Sequence, residues 1–209
     1  MSAAHLLSTL DRERLLAIVR GTDAQAALDT VLTLFRSGVE IIEVSLTSTD
    51  ALSVIEKART ELGPGALLGA GTLLTAGDAH AAASAGACFG VTPGVGDAVS
   101  ACRALGLPVL AGAVTPTEVI AALGEGATAV KLFPASIGGP AYLRALRDPF
   151  PEVAFVPVGG VDAEAARAHL AAGALAVGVG GPLVGDAARG GSLDALAGRA
   201  ARFREVTRR

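Results

Sequence analysis

Residues 40–63 read EIIEVSLTSTDALSVIEKARTELG, and this stretch contains the repeating unit that decides the fold. Its first part, Glu40–Leu46, is short, apolar and rich in β-branched residues, which is typical of a buried parallel strand. Its second part, Asp50–Leu62, repeats apolar residues with the period of an amphipathic helix and is followed by Gly63, a helix-ending residue. The stretch therefore predicts one β-strand followed by one α-helix.

The same unit recurs along the whole chain of 209 residues. Eight alternating strands and helices predict an α/β protein, a single (β/α)8 TIM barrel domain over residues 1–209, with a doubly wound open sheet as the alternative. Residues 1–14 are predicted to form an extra helix across the N-terminal end of the barrel. The predicted strands are Leu15–Arg20, Glu40–Leu46, Ala66–Gly71, Cys88–Thr92, Pro108–Gly112, Ala127–Leu132, Ala154–Val158 and Ala174–Val179.

Polar capping residues and glycines mark where the intervening helices begin and end. Predicted N-caps are Thr22 or Asp23, Thr49 or Asp50, Thr75, Thr115 and Asp162. Predicted helix ends lie at Gly38, Gly63, Gly86, Gly106, Gly124 and Gly173.

Composition excludes several classes of partner. The net charge is −3 and the pI is about 5.6, so the chain lacks the basic surface that nucleic-acid binding needs. The mean hydropathy is +0.54, but the long uncharged stretches are interrupted by glycines and a proline, so no membrane span is predicted. Met1–Arg14 carries acids and no apolar signal core, which favours a cytoplasmic protein.

One lysine stands out because arginine supplies nearly every other positive charge. The two lysines are Lys57, beside charged neighbours on an amphipathic helix, and Lys131, in the apolar strand Ala-Thr-Ala-Val-Lys-Leu-Phe-Pro. Strand alternation places Val130 and Leu132 against the helices and points Lys131 into the barrel, near the end that carries active sites. A desolvated amine there is a nucleophile that can condense with a carbonyl. The alternatives are an interior ion pair or a side chain that reaches solvent at the rim.

Acidic and hydroxyl side chains are predicted on the same interior surface. In the second strand, Glu43, Ser45 and Thr47 alternate with apolar residues and should face inward. Glu43 is then either a structural ion-pair partner or an acid/base group whose pKa burial raises. Thr72, after Gly69-Ala-Gly71, is either a carboxylate-binding hydroxyl or only a cap.

Glycine pairs follow the seventh and eighth strands, where barrel enzymes usually bind phosphate. The pairs are Gly159-Gly160 and Gly180-Gly181. No histidine falls at a strand end, no metal-ligand spacing occurs, and no dinucleotide fingerprint is present. The sequence therefore predicts phosphate binding without a metal or another cofactor.

Several short motifs together resemble the 2-keto-3-deoxy-6-phosphogluconate and 4-hydroxy-2-oxoglutarate aldolase family. The resemblance runs in order from about residue 12 to the C-terminus and is most specific in the Lys-x-Phe-Pro strand end, the interior Glu and the Gly-Ala-Gly-Thr turn. The matching stretches are Ile18–Gly21, Ile42–Val44, Gly69–Thr72, Val91–Pro93, Pro116–Glu118, Val130–Pro134 and Pro157–Val161.

The resemblance implies a metal-free aldolase that releases pyruvate and an aldehyde such as glyceraldehyde 3-phosphate from a phosphorylated keto acid. It implies that Lys131 forms a Schiff base, that Glu43 moves protons, and that Thr72 holds the pyruvyl carboxylate. It also implies that Pro93 and Phe133 pack beside the imine. A homotrimer and a role in carbohydrate metabolism of the Entner–Doudoroff type are implied as well.

Three positions differ from the pattern of some relatives. Thr47 replaces an anion-binding arginine, whose charge Arg20 could supply instead, and Gly181 replaces a serine of the phosphate site. Val158 replaces the threonine of gluconate-configured enzymes and looks more like the branch that accepts the galactonate epimer. The alternative functions are a phosphosugar epimerase or isomerase and a non-catalytic sugar-phosphate-binding barrel.

Overall fold

Eight parallel strands form a closed barrel in the computed structural model, which describes residues 1–208. The strands are hydrogen-bonded in the order β7-β6-β5-β4-β3-β2-β1-β8, and a bridge between Val158 and Gly178 joins the two outer members. The predicted (β/α)8 barrel is therefore confirmed, and the open doubly wound alternative is wrong. The strands are β1 Leu15–Val19, β2 Ile41–Ser45, β3 Leu67–Gly71, β4 Gly90–Val91, β5 Val109–Ala113, β6 Ala129–Leu132, β7 Phe155–Pro157 and β8 Val177–Val179.

Helices follow the strands and surround the barrel. No helix within residues 1–208 is long and apolar enough to cross a bilayer. Two 3-10 helices, Ala135–Ile137 and Ala187–Arg189, lie in the loops after β6 and β8. The α-helices are α1 Ala3–Glu13, α2 Ala24–Arg36, α3 Ala51–Leu62, α4 Ala76–Ser84, α5 Asp97–Ala104, α6 Pro116–Gly124, α7 Gly139–Arg147, α8 Ala163–Ala171, α9 Gly181–Val184 and α10 Leu193–Thr207.

The alternation of strand residues separates two apolar layers. Residues such as Val44 and Val130 face outward and pack in the layer between strands and helices. Ile41 and Ala129 face inward and form a second cluster that fills the lower part of the barrel. Leu6 and Leu10 of α1 belong to this inner cluster and are fully buried, so α1 closes the N-terminal end as predicted.

Some predicted boundaries are wrong for local reasons. The strand predicted over Cys88–Thr92 is reduced to β4, although the N–H groups of Cys88 and Thr92 still donate to the carbonyls of Leu68 (2.9 Å) and Leu110 (3.0 Å). At its C-terminal end the ladder gives way to a side chain, because the Thr92 hydroxyl accepts the Gly112 N–H (3.2 Å). Gly124 lies inside α6, and the left-handed turn comes two residues later at Gly126 (φ +92°). Asp50 precedes α3 but makes no side-chain cap. Caps at Thr75 and Thr115 form complete capping boxes.

Candidate active site

A lysine and a glutamate meet inside the barrel above the apolar plug. Lys131 follows Ala129 on the inner face of β6, and Glu43 follows Ile41 on the inner face of β2. Lys131 is 5% exposed and Glu43 is 2% exposed. No ion pair or hydrogen bond joins these two side chains directly, although their charges interact. The strands therefore present an amine and a carboxyl group to one shared interior space.

Burial pushes both groups toward their uncharged forms. Desolvation raises the pKa of Glu43 above its ordinary value, against the smaller opposing effects of the Lys131 and Arg20 charges. Desolvation also lowers the pKa of Lys131, and the Arg20 charge lowers it further, whereas Glu43 acts in the opposite direction. Oε2 of Glu43 is buried without a hydrogen-bond partner, which adds to the cost of ionising this carboxyl. Burial therefore favours an uncharged amine and an uncharged carboxylic acid over a pair of buried charges.

Small residues on neighbouring strands make room for this pair. A methyl carbon on Gly71 would stand 2.7 Å from Cδ of Glu43, so the carboxyl occupies the space that any other residue would fill. Gly112, the partner of Lys131 in the β5–β6 register, is covered in the same way by the backbone of Pro93 and Gly94. Packing against backbone therefore requires glycine at position 112, whereas a larger residue at position 71 would displace the Glu43 carboxyl.

Hydroxyl groups and one guanidinium form a polar rim above Glu43. The Ser45 hydroxyl lies 2.9 Å from the hydroxyls of both Thr47 and Thr72. Thr72 has a left-handed backbone (φ +61°), which turns the chain at the end of β3. Arg20 follows the inward-facing Leu16 and Ile18 of β1, and its Nη2 donates to Thr72 Oγ1 at 3.5 Å. These groups offer several hydrogen-bond donors to a carboxylate placed near the lysine.

Phe133 and Pro93, which the resemblance predicts beside an imine, differ in how they approach Lys131. The ring centroid of Phe133 lies 4.7 Å from Nζ of Lys131, within the range of a cation–π interaction. Pro93 approaches this region through its backbone, which packs over Gly112. It also lines a separate small cavity with Leu73 and Leu74.

A cavity of about 500 Å³ lies at the barrel mouth and contains both predicted glycine pairs. Gly159 and Gly160 have positive φ angles of 97° and 75°, which exposes their backbone toward the loop side. Residues predicted for the substrate that also line the cavity are Arg20, Thr47, Phe133, Val158, Gly159, Gly160, Gly180 and Gly181. Another cavity of similar size lies at the opposite end, between α1 and α10, and contains none of the predicted site residues.

No cluster of three His, Cys, Asp or Glu side chains that could hold a metal occurs within residues 1–208.

A model of the KDPG and KHG aldolase family matches residues 6–196, most of the chain. The chain belongs to this family. It is accordingly an aldolase, a carbon–carbon lyase.

Relatives in this aldolase family include proteins named for the gluconate substrate and proteins named for the galactonate substrate. The chain is 37% identical to the 2-dehydro-3-deoxy-phosphogluconate aldolase of Treponema pallidum, over 75% of each chain. It is 34% identical to the 2-dehydro-3-deoxy-6-phosphogalactonate aldolase of Escherichia coli, over 90% of this chain and 92% of the relative.

Solved structures of aldolases share the fold. A native KDPGal structure is 33% identical, with a TM-score of 0.86 and coverage of 92% of this chain and 93% of the other. KDPG aldolase from Legionella pneumophila, with pyruvate captured as a covalent carbinolamine intermediate, is 26% identical with a TM-score of 0.80, covering 96% and 95% of the two chains.

One cationic residue of the cavity is not predicted by the sequence patterns. Arg189 ends the 3-10 helix after β8 and lines the cavity with Gly180 and Gly181. The available signal was its place in the eighth βα loop, the usual phosphate region of a barrel. A single arginine among many gave no periodic pattern that would distinguish it.

Proposed function

We propose that this aldolase cleaves 2-keto-3-deoxy-6-phosphogluconate, its galactonate epimer or 4-hydroxy-2-oxoglutarate through a Schiff base on Lys131. The products are pyruvate and an aldehyde, glyceraldehyde 3-phosphate for the phosphorylated substrates. The observation that carries the proposal is a lysine 5% exposed on the inner wall of the barrel, with a pKa lowered by burial and a carboxyl group nearby.

The first step needs an uncharged amine. The apolar cluster below Lys131 and the positive Arg20 beside it both disfavour the ammonium form. The lone pair of Nζ attacks the substrate ketone, and a carbinolamine results. Glu43, which burial keeps protonated more readily than an exposed glutamate, donates a proton to the carbinolamine oxygen so that it leaves as water.

The resulting iminium is the electron sink for breaking the carbon–carbon bond. Glu43, now a carboxylate, accepts the proton of the substrate C4 hydroxyl directly or through one water. The C3–C4 bonding electrons move toward the iminium, the aldehyde leaves, and an enamine of pyruvate remains. The Phe133 ring, 4.7 Å from Nζ, stabilises the positive iminium, and protonation of C3 and hydrolysis then release pyruvate.

The rim residues position the two ends of the substrate. Thr72, Ser45 and Arg20 supply hydrogen bonds to the pyruvyl carboxylate close to Lys131. The glycine-lined cavity takes the phosphate at the other end. Val158 is buried over Gly178 and offers no hydroxyl to the substrate. The resemblance of this position to the branch that accepts the galactonate-configured epimer supports a preference for that epimer.

Reductive trapping tests the proposal and separates it from the isomerase and passive-binding alternatives. Pyruvate and borohydride should add one reduced pyruvyl group to the wild-type chain, at Lys131, as measured by intact-mass and peptide mass spectrometry. Lys131→Ala should abolish the adduct. Lys57→Ala is the matched control, because it removes an exposed lysine and should leave the adduct unchanged. A wild-type chain without an adduct, or an adduct on Lys57, would contradict the proposal.

We also infer a cytoplasmic homotrimer with a role in Entner–Doudoroff-type carbohydrate metabolism, following the family resemblance. Light scattering coupled to size-exclusion chromatography tests the assembly: a mass of three chains supports it, and a monomer contradicts it.

A further inference from the structure

The cavity at the barrel mouth has a charge that the rest of the chain does not share. Its lining includes Arg20 and Arg189 and no aspartate or glutamate, whereas the whole protein has a net charge of −3. A cleft lined by one sign of charge attracts ligands of the opposite sign. The cavity is therefore electrostatically suited to an anion.

The two arginines serve different parts of this cavity. Arg20 donates to Thr72 and acts on the charges of Glu43 and Lys131, so its guanidinium belongs to the reacting end. Arg189 instead lies in the loop that follows β8, among the glycines of the cavity. Its side chain makes no hydrogen bond or ion pair with any other residue of the described range 1–208. Its guanidinium is thus available to a ligand.

Backbone packing fixes the position of Arg189 relative to Arg20. Gly21, next to Arg20, is buried against Ala188, next to Arg189. A methyl carbon on Gly21 would stand 2.8 Å from Cβ of Ala188 and closer still to its carbonyl oxygen. The backbone N–H of Arg189 also donates to the Asp186 carbonyl at 2.9 Å. Arg189 therefore extends from an anchored turn, so its exposed side chain starts from a fixed position at the edge of the cavity.

We infer that Arg189 binds the substrate phosphate and determines the preference of this enzyme for phosphorylated over unphosphorylated hydroxy-oxo acids. Gly181 leaves the phosphate site without a side-chain hydroxyl, and the fork of N–H donors on Arg189 supplies charge-assisted hydrogen bonds in its place. This assignment of a specificity-determining residue rests on the proposed aldolase function. Arg189 is not among the charges that act on the Lys131 amine, and we assign it no part in bond breaking.

Phosphate binding gives a test that needs no catalysis. Inorganic phosphate should raise the melting temperature of the wild-type protein, because a ligand that binds only the folded state stabilises it. In Arg189→Gln, the phosphate concentration that gives the same rise in melting temperature should be about tenfold higher or more, the loss expected for one charge-assisted hydrogen bond. Arg202→Gln removes the same charge from an exposed site on α10 outside the cavity and should match wild type. Equal phosphate dependence in the two variants would overturn the inference.

Steady-state kinetics gives the second test. In Arg189→Gln, KM for the phosphorylated substrate should rise about tenfold to a hundredfold, while kcat stays within about twofold, the signature of lost ground-state binding. The kcat/KM for 4-hydroxy-2-oxoglutarate should not change, and Arg189→Lys should recover part of the phosphate preference. Equal losses for both substrates would also overturn the inference. Pyruvate trapping by Arg189→Gln should remain normal. The two proposals can fail separately: a missing adduct in the wild-type protein counts against the proposed aldolase mechanism. The phosphate titration decides the role of Arg189 in either case.

Discussion

Replacing Gly71 with alanine should displace the carboxyl of Glu43, the proposed acid–base group, without changing any ionisable group. The new methyl carbon would stand 2.7 Å from Cδ of Glu43 and closer to Oε1, whereas ordinary contact begins at 3.4 Å. The carboxyl carbon must therefore move by at least about 0.7 Å, and misplacement on the order of 1 Å in an active site can lower rates about a hundredfold. We expect kcat of Gly71→Ala to fall about tenfold to a hundredfold.

The assay is release of pyruvate, coupled to its reduction by a dehydrogenase, together with the rate of borohydride-trapped adduct formation. Gly124→Ala is the control, because a methyl group there meets nothing within 4 Å and lies in a helix. Its kcat should equal that of wild type. Far-UV circular dichroism should show folded protein in both variants. A folded Gly71→Ala protein with wild-type kcat would refute the argument that the position of the Glu43 carboxyl controls proton transfer.

Three further predictions concern the acid, the lysine and a helix cap. Glu43→Gln should lower kcat by about 10²–10⁴-fold, the usual range for losing an acid–base group, and wild-type turnover would contradict its role. Lys131→Met should be more stable than wild type at pH 7 in urea unfolding, because folding desolvates the ammonium group and lowers its pKa. Because folding lowers the pKa of Lys131, the unfolded wild-type chain binds more protons than the folded one, and wild-type stability rises with pH. The difference in stability between Lys131→Met and wild type should therefore shrink as pH rises toward 10.5, the ordinary lysine value. A difference that does not change with pH would contradict the pKa shift. Thr115→Ala should cost about 1 kcal/mol of stability by removing a capping box, with kcat unchanged; loss of turnover would argue against a purely local role.

Periodicity predicted the fold well because it depends on local physical rules. Each strand of the barrel has an inner and an outer face. Alternation of apolar and polar residues in the β2 and β6 sequences was therefore sufficient to predict that Glu43 and Lys131 face inward. The helix α1 was predicted from its place before the first strand. Capping residues such as Thr75 and Thr115 act within four residues of themselves, so their hydrogen bonds were also visible in the sequence.

Contacts between distant loops were not predictable in the same way. The bond from Arg20 to Thr72 joins residues 52 positions apart. It depends on the register of β1, β2 and β3 and on the left-handed turn at Thr72, a conformation that threonine seldom adopts. Arg189 enters the cavity only because Gly21 admits Ala188. The second contact also requires the first and last strands to lie side by side, as they do in the barrel.

Helix α1 has a consequence for the chemistry at the far end of the barrel. Leu6 and Leu10 fill the N-terminal end of the barrel and exclude water from its core. This exclusion contributes to the desolvation that lowers the pKa of the Lys131 amine. A segment that contributes no side chain to the candidate site thus influences the acidity of the proposed nucleophile. Shortening or polarising it, as in Leu10→Asn, should make the lysine more basic and slow adduct formation at neutral pH, so that reactivity at one mouth of the barrel is adjusted from the other.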